Sequence, residues 1–190
     1  MNAVHDPEIR PSIGADLRAM RKARRVTLAE LAADLGRSTG WLSQIERGLS
    51  APSPDDLHTI ASSLGFPVSM LFGTAPAPVA EVGYVVRAGA RRMISGGKGL
   101  TEELLSPDLT DDFEVLRSVF APGAALSDVK LRATQELGYL IEGQLDVTIA
   151  GREFRINAGD SFRIRGEAFR WSNPYDIPAV AIWVIAPPIY

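Results

Sequence analysis

Part-way along this chain the spacing of apolar residues changes, and that change limits what the chain can fold into. Before residue 73 the spacing is helical. Ile13, Leu17 and Met20 recur in IGADLRAMRKARR, then Leu28, Leu31, Ala32 and Leu35, and later Leu57, Ile60, Ala61 and Leu64 in DDLHTIASSLG. From Val82 onward apolar and polar residues alternate in short runs: EVLRSVFAPG, YLIEGQLDVTIAG, REFRINAGD, SFRIR and AVAIWVIAP, nearly all bounded by Gly or Pro. Between the two lies TAPAPVAE, residues 74–81, which has neither period. The pattern predicts a helical domain over 10–73, a semi-stiff linker over 74–81, and an all-β sandwich or barrel over 82–190.

Punctuation in the first part predicts five helices. Thr27-Leu28-Ala29-Glu30 reads as a capping box, Gly36 as a stop, and Ser38 as the N-cap of TGWLSQIERG, which ends at Gly48. Pro52 and Pro54 mark a loop before the fourth helix, and PVSMLFG reads as a short fifth. In the second part, Ala133–Gly151 alternates, breaks at Glu142-Gly143 and resumes, the pattern of a half-buried β-hairpin.

The chain has no cysteine, so disulfides and thiolate metal sites are excluded, and its two histidines are His5 and His58. No window approaches the roughly 18 uninterrupted apolar residues of a membrane span. MNAVHDPEIRPS lacks the apolar core of a signal peptide. A soluble cytoplasmic protein is expected. The net charge of −3 hides an asymmetry: residues 10–50 hold eight Lys/Arg against four Asp/Glu, whereas residues 74–190 hold 12 against 15. Local charge sets the field that a phosphate backbone meets.

Two short helices joined by Leu35-Gly36-Arg37-Ser38 form a helix-turn-helix pattern. The run TLAELAADLGRSTGWLSQIERGLSAPSPDDLHTIASSLGFPVSMLF resembles the Cro-type, phage-repressor helix-turn-helix family, most specifically through LSQIERG followed by a Pro-Ser loop. The resemblance implies a lambda-repressor-like DNA-binding domain. Leu42 and Ile45 of the second helix should pack on Leu31, Leu35 and Leu57, leaving Ser38, Thr39, Gly40, Ser43 and Gln44 for base edges in the major groove. Arg21, Lys22, Arg24, Arg25, Arg37, Trp41 and Arg47 are the candidate phosphate contacts. Glu46 reads as a structural partner for an arginine. Leu28 stands where the family often has Gln, so no contact is carried over to it.

The stretch from Val82 to Pro188 resembles the cupin barrels, antiparallel β folds of jelly-roll type. PGAALSDVKLRATQELGYLIEGQL corresponds to the family's Gly…His-x-His…Glu…Gly motif, with Glu136 followed by Gly143, and GREFRINAGDSFRIRGEAFRWSNP to the second motif, with Gly151, Gly159-Asp160 and Asn173-Pro174. Every histidine is replaced. The paired positions fall on Lys130 and Arg132, or on Val129 and Leu131 if the spacing is one residue longer, and the second-motif position falls on Phe169. Glu136 alone cannot hold a divalent ion, so no metal, no cofactor and no metal-dependent catalysis is expected. A buried carboxylate needs a partner. Either Lys130 or Arg132 satisfies Glu136, or the pair clamps an anionic effector in a pocket walled by Tyr139, Phe162, Phe169, Trp171 and Trp183.

The expected protein is a homodimeric regulator that binds a pseudo-palindromic operator on double-stranded DNA, with a metal-free barrel that dimerises and binds a small, anionic effector. Two alternatives stand beside it: a constitutive repressor or antitoxin-like protein with a purely structural barrel, and a metal-independent enzyme fused to a DNA-binding domain.

Overall fold

The helical spacing is realised over the first part of the chain. The computed structural model describes residues 8–9, 13–72, 77–97, 99–106, 109 and 111–189; residues 74–76 of the expected linker lie outside that set. Four α-helices follow one another: α1 (Ile13–Ala23), α2 (Leu28–Asp34), α3 (Thr39–Glu46) and α4 (Pro54–Leu64). Thr27 and Glu30 close the expected capping box on α2 (Thr27 Oγ1 accepts from the Glu30 N–H at 3.1 Å, and Glu30 accepts from the Thr27 N–H at 2.7 Å). The Thr27 hydroxyl, which also donates to the Glu30 carboxylate at 2.7 Å, and next the Thr27 N–H hold the Glu30 carboxyl below its ordinary pKa. Ser38 caps α3 by accepting from the Trp41 N–H at 3.1 Å. The fifth helix is a single 3₁₀ turn, Val68–Leu71. Only four residues separate Pro67 from Phe72, too few for a run of i→i−4 bonds.

Leu17, Met20, Leu31, Leu42, Ile45, Leu57, Ile60 and Leu64 are buried and form the core of this unit. One ion pair lies in the same interior. Arg21, in the last turn of α1, donates from Nε to Glu46 Oε1 at 2.6 Å and from Nη2 to Oε2 at 2.8 Å. Its Nη1 reaches the Val26 carbonyl at 2.9 Å. The end of α1 is thus bound to the end of α3 by a bidentate contact across 25 residues of sequence.

The chain divides into two compact units, the second built from Met93–Leu105 and Asp112–Ile189. Outside it, β1 (Glu8–Ile9) pairs with β2 (Ala77–Pro78). The remaining strands are β3 (Arg92–Gly97), β4 (Leu100–Leu104), β5 (Glu114–Phe120), β6 (Gln135–Glu142), β7 (Gln144–Ile149), β8 (Arg152–Asn157), β9 (Ser161–Arg165), β10 (Phe169–Ser172) and β11 (Ala179–Ala186). They form a six-stranded sheet, β3-β4-β5-β11-β6-β9, and a three-stranded sheet, β10-β7-β8. Every pairing whose register is resolved is antiparallel. The two sheets meet through aromatic side chains: Phe120 of β5 lies edge-on to Trp171 of β10 at 4.7 Å, and Phe169 of β10 is 6.0 Å from Trp183 of β11.

The expected hairpin across Glu142-Gly143 is not one. β6 pairs with β11 and β9, whereas β7 pairs with β10 and β8, so the chain changes sheets at Gly143. Gly143 has φ +77°, and a Cβ there would lie 2.4 Å from the Pro178 carbonyl. Only glycine fits this corner. Asn173 of the second motif is equally structural: it is fully buried, donates to the Phe120 and Ile177 carbonyls at 2.9 Å each, and accepts from the Tyr175 N–H.

Replacing Glu46 with alanine leaves the Arg21 guanidinium buried without its partner, and should lower stability by about 3 kcal/mol. Arg21→Met combined with Glu46→Leu should recover most of that loss. Urea denaturation of the three proteins checks both statements.

Candidate functional site

The α2–α3 pair presents the candidate nucleic-acid face. Leu42 and Ile45 point inward, so the helical period turns Thr39, Gly40 and Gln44 to solvent, with Ser43 and Trp41 half-buried at the flanks. Ser38 is exposed at the helix start. Lys22, Arg25, Arg37 and Arg47 are exposed as expected. Arg24 is half-buried, its guanidinium 5.3 Å over the Phe66 ring. Arg37 stands 5.0 Å over the Trp41 ring and 3.0 Å from Asp56. Arg47 donates back to the Ser43 carbonyl at 3.2 Å.

Arg21 leaves the phosphate-contacting set. Its guanidinium is buried and all three nitrogens are committed to Glu46 and Val26. Two residues outside the expected set stand beside members of it. Arg18 is exposed one helical turn before Lys22, and the i, i+4 spacing was available to find it. Asp56 was not readable as a partner of Arg37, because the contact spans 19 positions.

In the β unit the site forms around Glu136. Its carboxylate is buried on the inner face of β6. Oε2 accepts from the Trp183 indole N–H at 2.7 Å and Oε1 from the Thr134 hydroxyl at 2.7 Å. Arg132 Nη1 stands 3.9 Å from Oε1, and its guanidinium lies 5.9 Å over the Phe169 ring. Phe162 is edge-on to Trp183 at 5.1 Å. The structure therefore brings Arg132, Glu136, Phe162, Phe169 and Trp183 together. Val129 and Leu131 are 59% and 73% exposed, so of the two open spacings it is the shorter one that puts a cation at Glu136. Lys130 pairs with Phe169 through backbone bonds of 2.8 and 2.9 Å.

Tyr139 does not wall this interior. It lies three residues from Glu136 on the same strand, and the alternation of β6 turns it to the opposite, outer face, where it is 46% exposed. Trp171 is inside but packs on Phe120, on another part of the interior.

The space over Gly138 is filled: a Cβ there would lie 2.3 Å from Phe162 Cζ, so the ring sits directly on the strand backbone. A divalent ion does not fit these residues. Both carboxylate oxygens accept from neutral donors, an arginine stands beside them, and among the described residues no group of three or more His, Cys, Asp or Glu side chains could hold a metal. Two clefts of about 460 and 320 Å³ are lined by residues of the three-stranded sheet, including Asp146, Arg155, Glu153 and Arg170. Neither Arg132 nor Glu136 lines them. Their charges are paired in turn, Arg155 with Asp146 at 3.7 Å and Arg170 with Glu153 at 3.6 Å. Desolvation and the Asp146 carboxylate together hold the neighbouring Tyr175 phenol above its ordinary pKa.

Comparison with known proteins matches both parts. The helix-turn-helix domain family matches residues 12–71 and the cupin domain family residues 116–185. The transcriptional regulator ClgR of Mycobacterium tuberculosis is 34% identical over 80 residues, which cover 42% of this chain and 71% of ClgR. The chain belongs to the helix-turn-helix transcriptional regulators. This regulator carries a cupin domain behind its DNA-binding domain. An HTH-type transcriptional regulator of Mycobacterium bovis is 43% identical over 58 residues, 30% of this chain and 23% of that protein, so the chain spans about a quarter of that relative's length. The immunity repressor of Bacillus phage phi105 is 36% identical over 62 residues, 33% of this chain and 43% of the repressor. Among solved structures, an HTH_3 family transcriptional regulator from Vibrio cholerae is 21% identical, covers 93% of this chain and 96% of its own, and has a TM-score of 0.46. The cupin domain of an XRE family transcriptional regulator from Enterobacter cloacae is 22% identical, covers 47% of this chain and 98% of its own, with a TM-score of 0.43. No helix among the described residues is long and apolar enough to cross a membrane.

Proposed function

We propose that this regulator binds a pseudo-palindromic operator on double-stranded DNA as a homodimer, in the cytoplasm, with α3 in the major groove. The observation that carries this reading is the exposed start of α3. Ser38, Thr39, Gly40 and Gln44 face solvent on a helix whose Leu42, Ile45 and Glu46 are buried. Side chains at the N-terminal part of a recognition helix meet base edges, and Gln44 can pair bidentately with adenine. Arg18, Lys22, Arg25, Arg37 and Arg47 supply phosphate contacts, which position the domain without choosing sequence. With an operator selected from a random duplex library, Gln44→Ala should cost about 1–3 kcal/mol and relax preference at one base pair per half-site. Lys22→Ala should weaken all duplexes alike and flatten the salt dependence by about one unit of slope. Anisotropy titrations across a salt series separate the two effects.

A dimer is what a two-half-site operator requires, and the outer face of the six-stranded sheet fits a second copy of this chain. Leu137, Tyr139 and Ile141 of β6 are 47, 46 and 42% exposed. Val184 and Ile182 of β11 stand directly beside Leu137 and Tyr139, and Val115 and Val119 of β5 extend the face. The stripe is flanked by Arg163 and Arg165 on β9 and by Glu103 with Arg117 on β4 and β5. A two-fold axis running parallel to the strands over β11 exchanges the flanks, setting the arginine edge of one copy against Glu103 of the other. Contiguous apolar surface with a charged rim is the character of an association site. Tyr139→Arg should give a monomer by analytical ultracentrifugation at concentrations where the unaltered protein is a dimer, and should abolish operator binding while the fold persists by circular dichroism.

The barrel offers Arg132, partly exposed beside Glu136, as the anchor for an anionic effector. One observation favours a second reading, a purely structural barrel in a constitutive regulator: Glu136 is already satisfied by Trp183 and Thr134, and Phe162 fills the space over Gly138. A thermal-shift panel of organic acids, amino acids and sugar phosphates decides. A ligand at about 100 times its dissociation constant adds about 2.7 kcal/mol, and the shift should vanish in Arg132→Ala. A flat panel establishes the second reading.

A further inference from the structure

Arg37, in the turn that enters α3, is held by two partners within its own unit. Its Nη2 is 3.0 Å from Asp56 Oδ1, and its guanidinium stacks 5.0 Å over Trp41, in the first turn of α3. Asp56 is the N3 residue of α4, and its second oxygen is equally occupied: Oδ2 accepts from the Ser53 N–H at 3.1 Å and from the Ser53 hydroxyl at 2.7 Å. One carboxylate therefore closes the cap of α4 and, with its other oxygen, grips the cation of the turn. The Arg37 side chain is 53% exposed and that of Asp56 19%, so a group arriving from solvent reaches the guanidinium more readily than the carboxylate.

We propose that Asp56 is a positioning residue for DNA binding, an internal carboxylate that occupies Arg37 in place of a backbone phosphate and releases it when the duplex docks. The inference rests on the DNA-binding reading given above. A carboxylate oxygen and a phosphate oxygen are both anionic acceptors for a guanidinium N–H, so the single Asp56 oxygen that holds Arg37 Nη2 occupies a donor that a phosphate would otherwise take. Trp41 keeps the guanidinium plane when the partner changes, because the ring contact is independent of the carboxylate. An exposed ion pair of this kind corresponds to at most about a fivefold factor in affinity, which a phosphate contact readily replaces. The exchange makes binding weaker than the same surface would give with Arg37 unengaged.

The test uses the full chain and a fluorescein-labelled duplex of random sequence, titrated by anisotropy. Asp56→Asn removes the charge while its amide oxygen still accepts from Ser53. It should tighten binding, by up to about fivefold, and the same substitution placed in an Arg37→Ala background should change nothing. Thermal unfolding run in parallel checks the cap; if Asn lowers the midpoint, Asp56→Gln, a natural capping-box residue, reads the same contact. Weaker or unchanged binding by the single variant would overturn the proposal and leave Asp56 as a staple between α4 and the turn. Tightening that persists undiminished without Arg37 would overturn it too, as a general effect of charge. If the unaltered chain binds no duplex at all, the DNA-binding reading itself fails.

Discussion

The bidentate contact between Arg21 and Glu46 is the interaction on which the helical unit's outer surface depends. Glu46 ends α3 and Arg21 lies in the last turn of α1, so two charged groups with fixed geometry set the rotation of α3 about its own axis. Leu42 and Ile45 alone would tolerate some roll, because apolar contacts are not directional. A forked guanidinium on a carboxylate does not. With that rotation set, Thr39, Gly40 and Gln44 have no orientation open to them except outward. The arrangement costs the surface a cation, since Arg21 cannot serve a phosphate while it serves Glu46, and the cost of burying two charges is met by the directness of the pairing rather than by added stability.

Glu136 plays a comparable part in the β unit. It is a carboxylate in an apolar interior, and its donors come from separate places: the indole of Trp183 on β11 and the hydroxyl of Thr134 just ahead of β6, with the Arg132 guanidinium 3.9 Å away as its ion-pair partner. Because β11 and β6 are adjacent strands, the indole bond sets the register between them along with the backbone ladder. The positions that correspond to ligating histidines in the family motif are held by Lys130, Arg132 and the Phe169 ring. Arg132 beside the Glu136 carboxylate puts an ion pair there in place of a set of metal ligands.

Much of this architecture is legible in the sequence, and what is not has identifiable physical causes. Capping boxes and helix stops are local, so Thr27, Glu30 and Ser38 read correctly. Strand parity is also local: Phe162 and Ile164 are buried and Arg163 and Arg165 exposed, as their alternation requires. The same parity placed Tyr139 opposite Glu136, and that signal went unused. Gly143 misled because a sheet-changing corner and a hairpin turn both want a positive-φ glycine between alternating runs; what separates them is the approach of Pro178, 35 positions on. In the run RKARR, the cation that turns inward is chosen by Glu46, which no window around the run contains.

The parity of β6 carries one more consequence. An antiparallel sheet with one face in water ordinarily alternates apolar residues inward with polar residues outward. Over Glu136–Ile141, β6 departs from this everywhere but Leu140: Glu136 and Gly138 point inward, whereas Leu137, Tyr139 and Ile141 all point outward. An interior carboxylate needs the two donors that Trp183 and Thr134 supply and the charge of Arg132 nearby, and an interior glycine is needed to admit Phe162. Neither requirement explains three large apolar side chains on the other face. Those residues add nothing to the core beneath them, and in water they carry an unfavourable hydration term of about 25 cal/mol per Å² left exposed. Their presence on the central strands of the larger sheet, continuous with Ile182 and Val184, is accounted for when that face is covered, and the covering surface must itself be apolar at its centre and charged at its edges. In the proposed dimer, a second copy of the same face, turned about an axis parallel to the strands, supplies that composition.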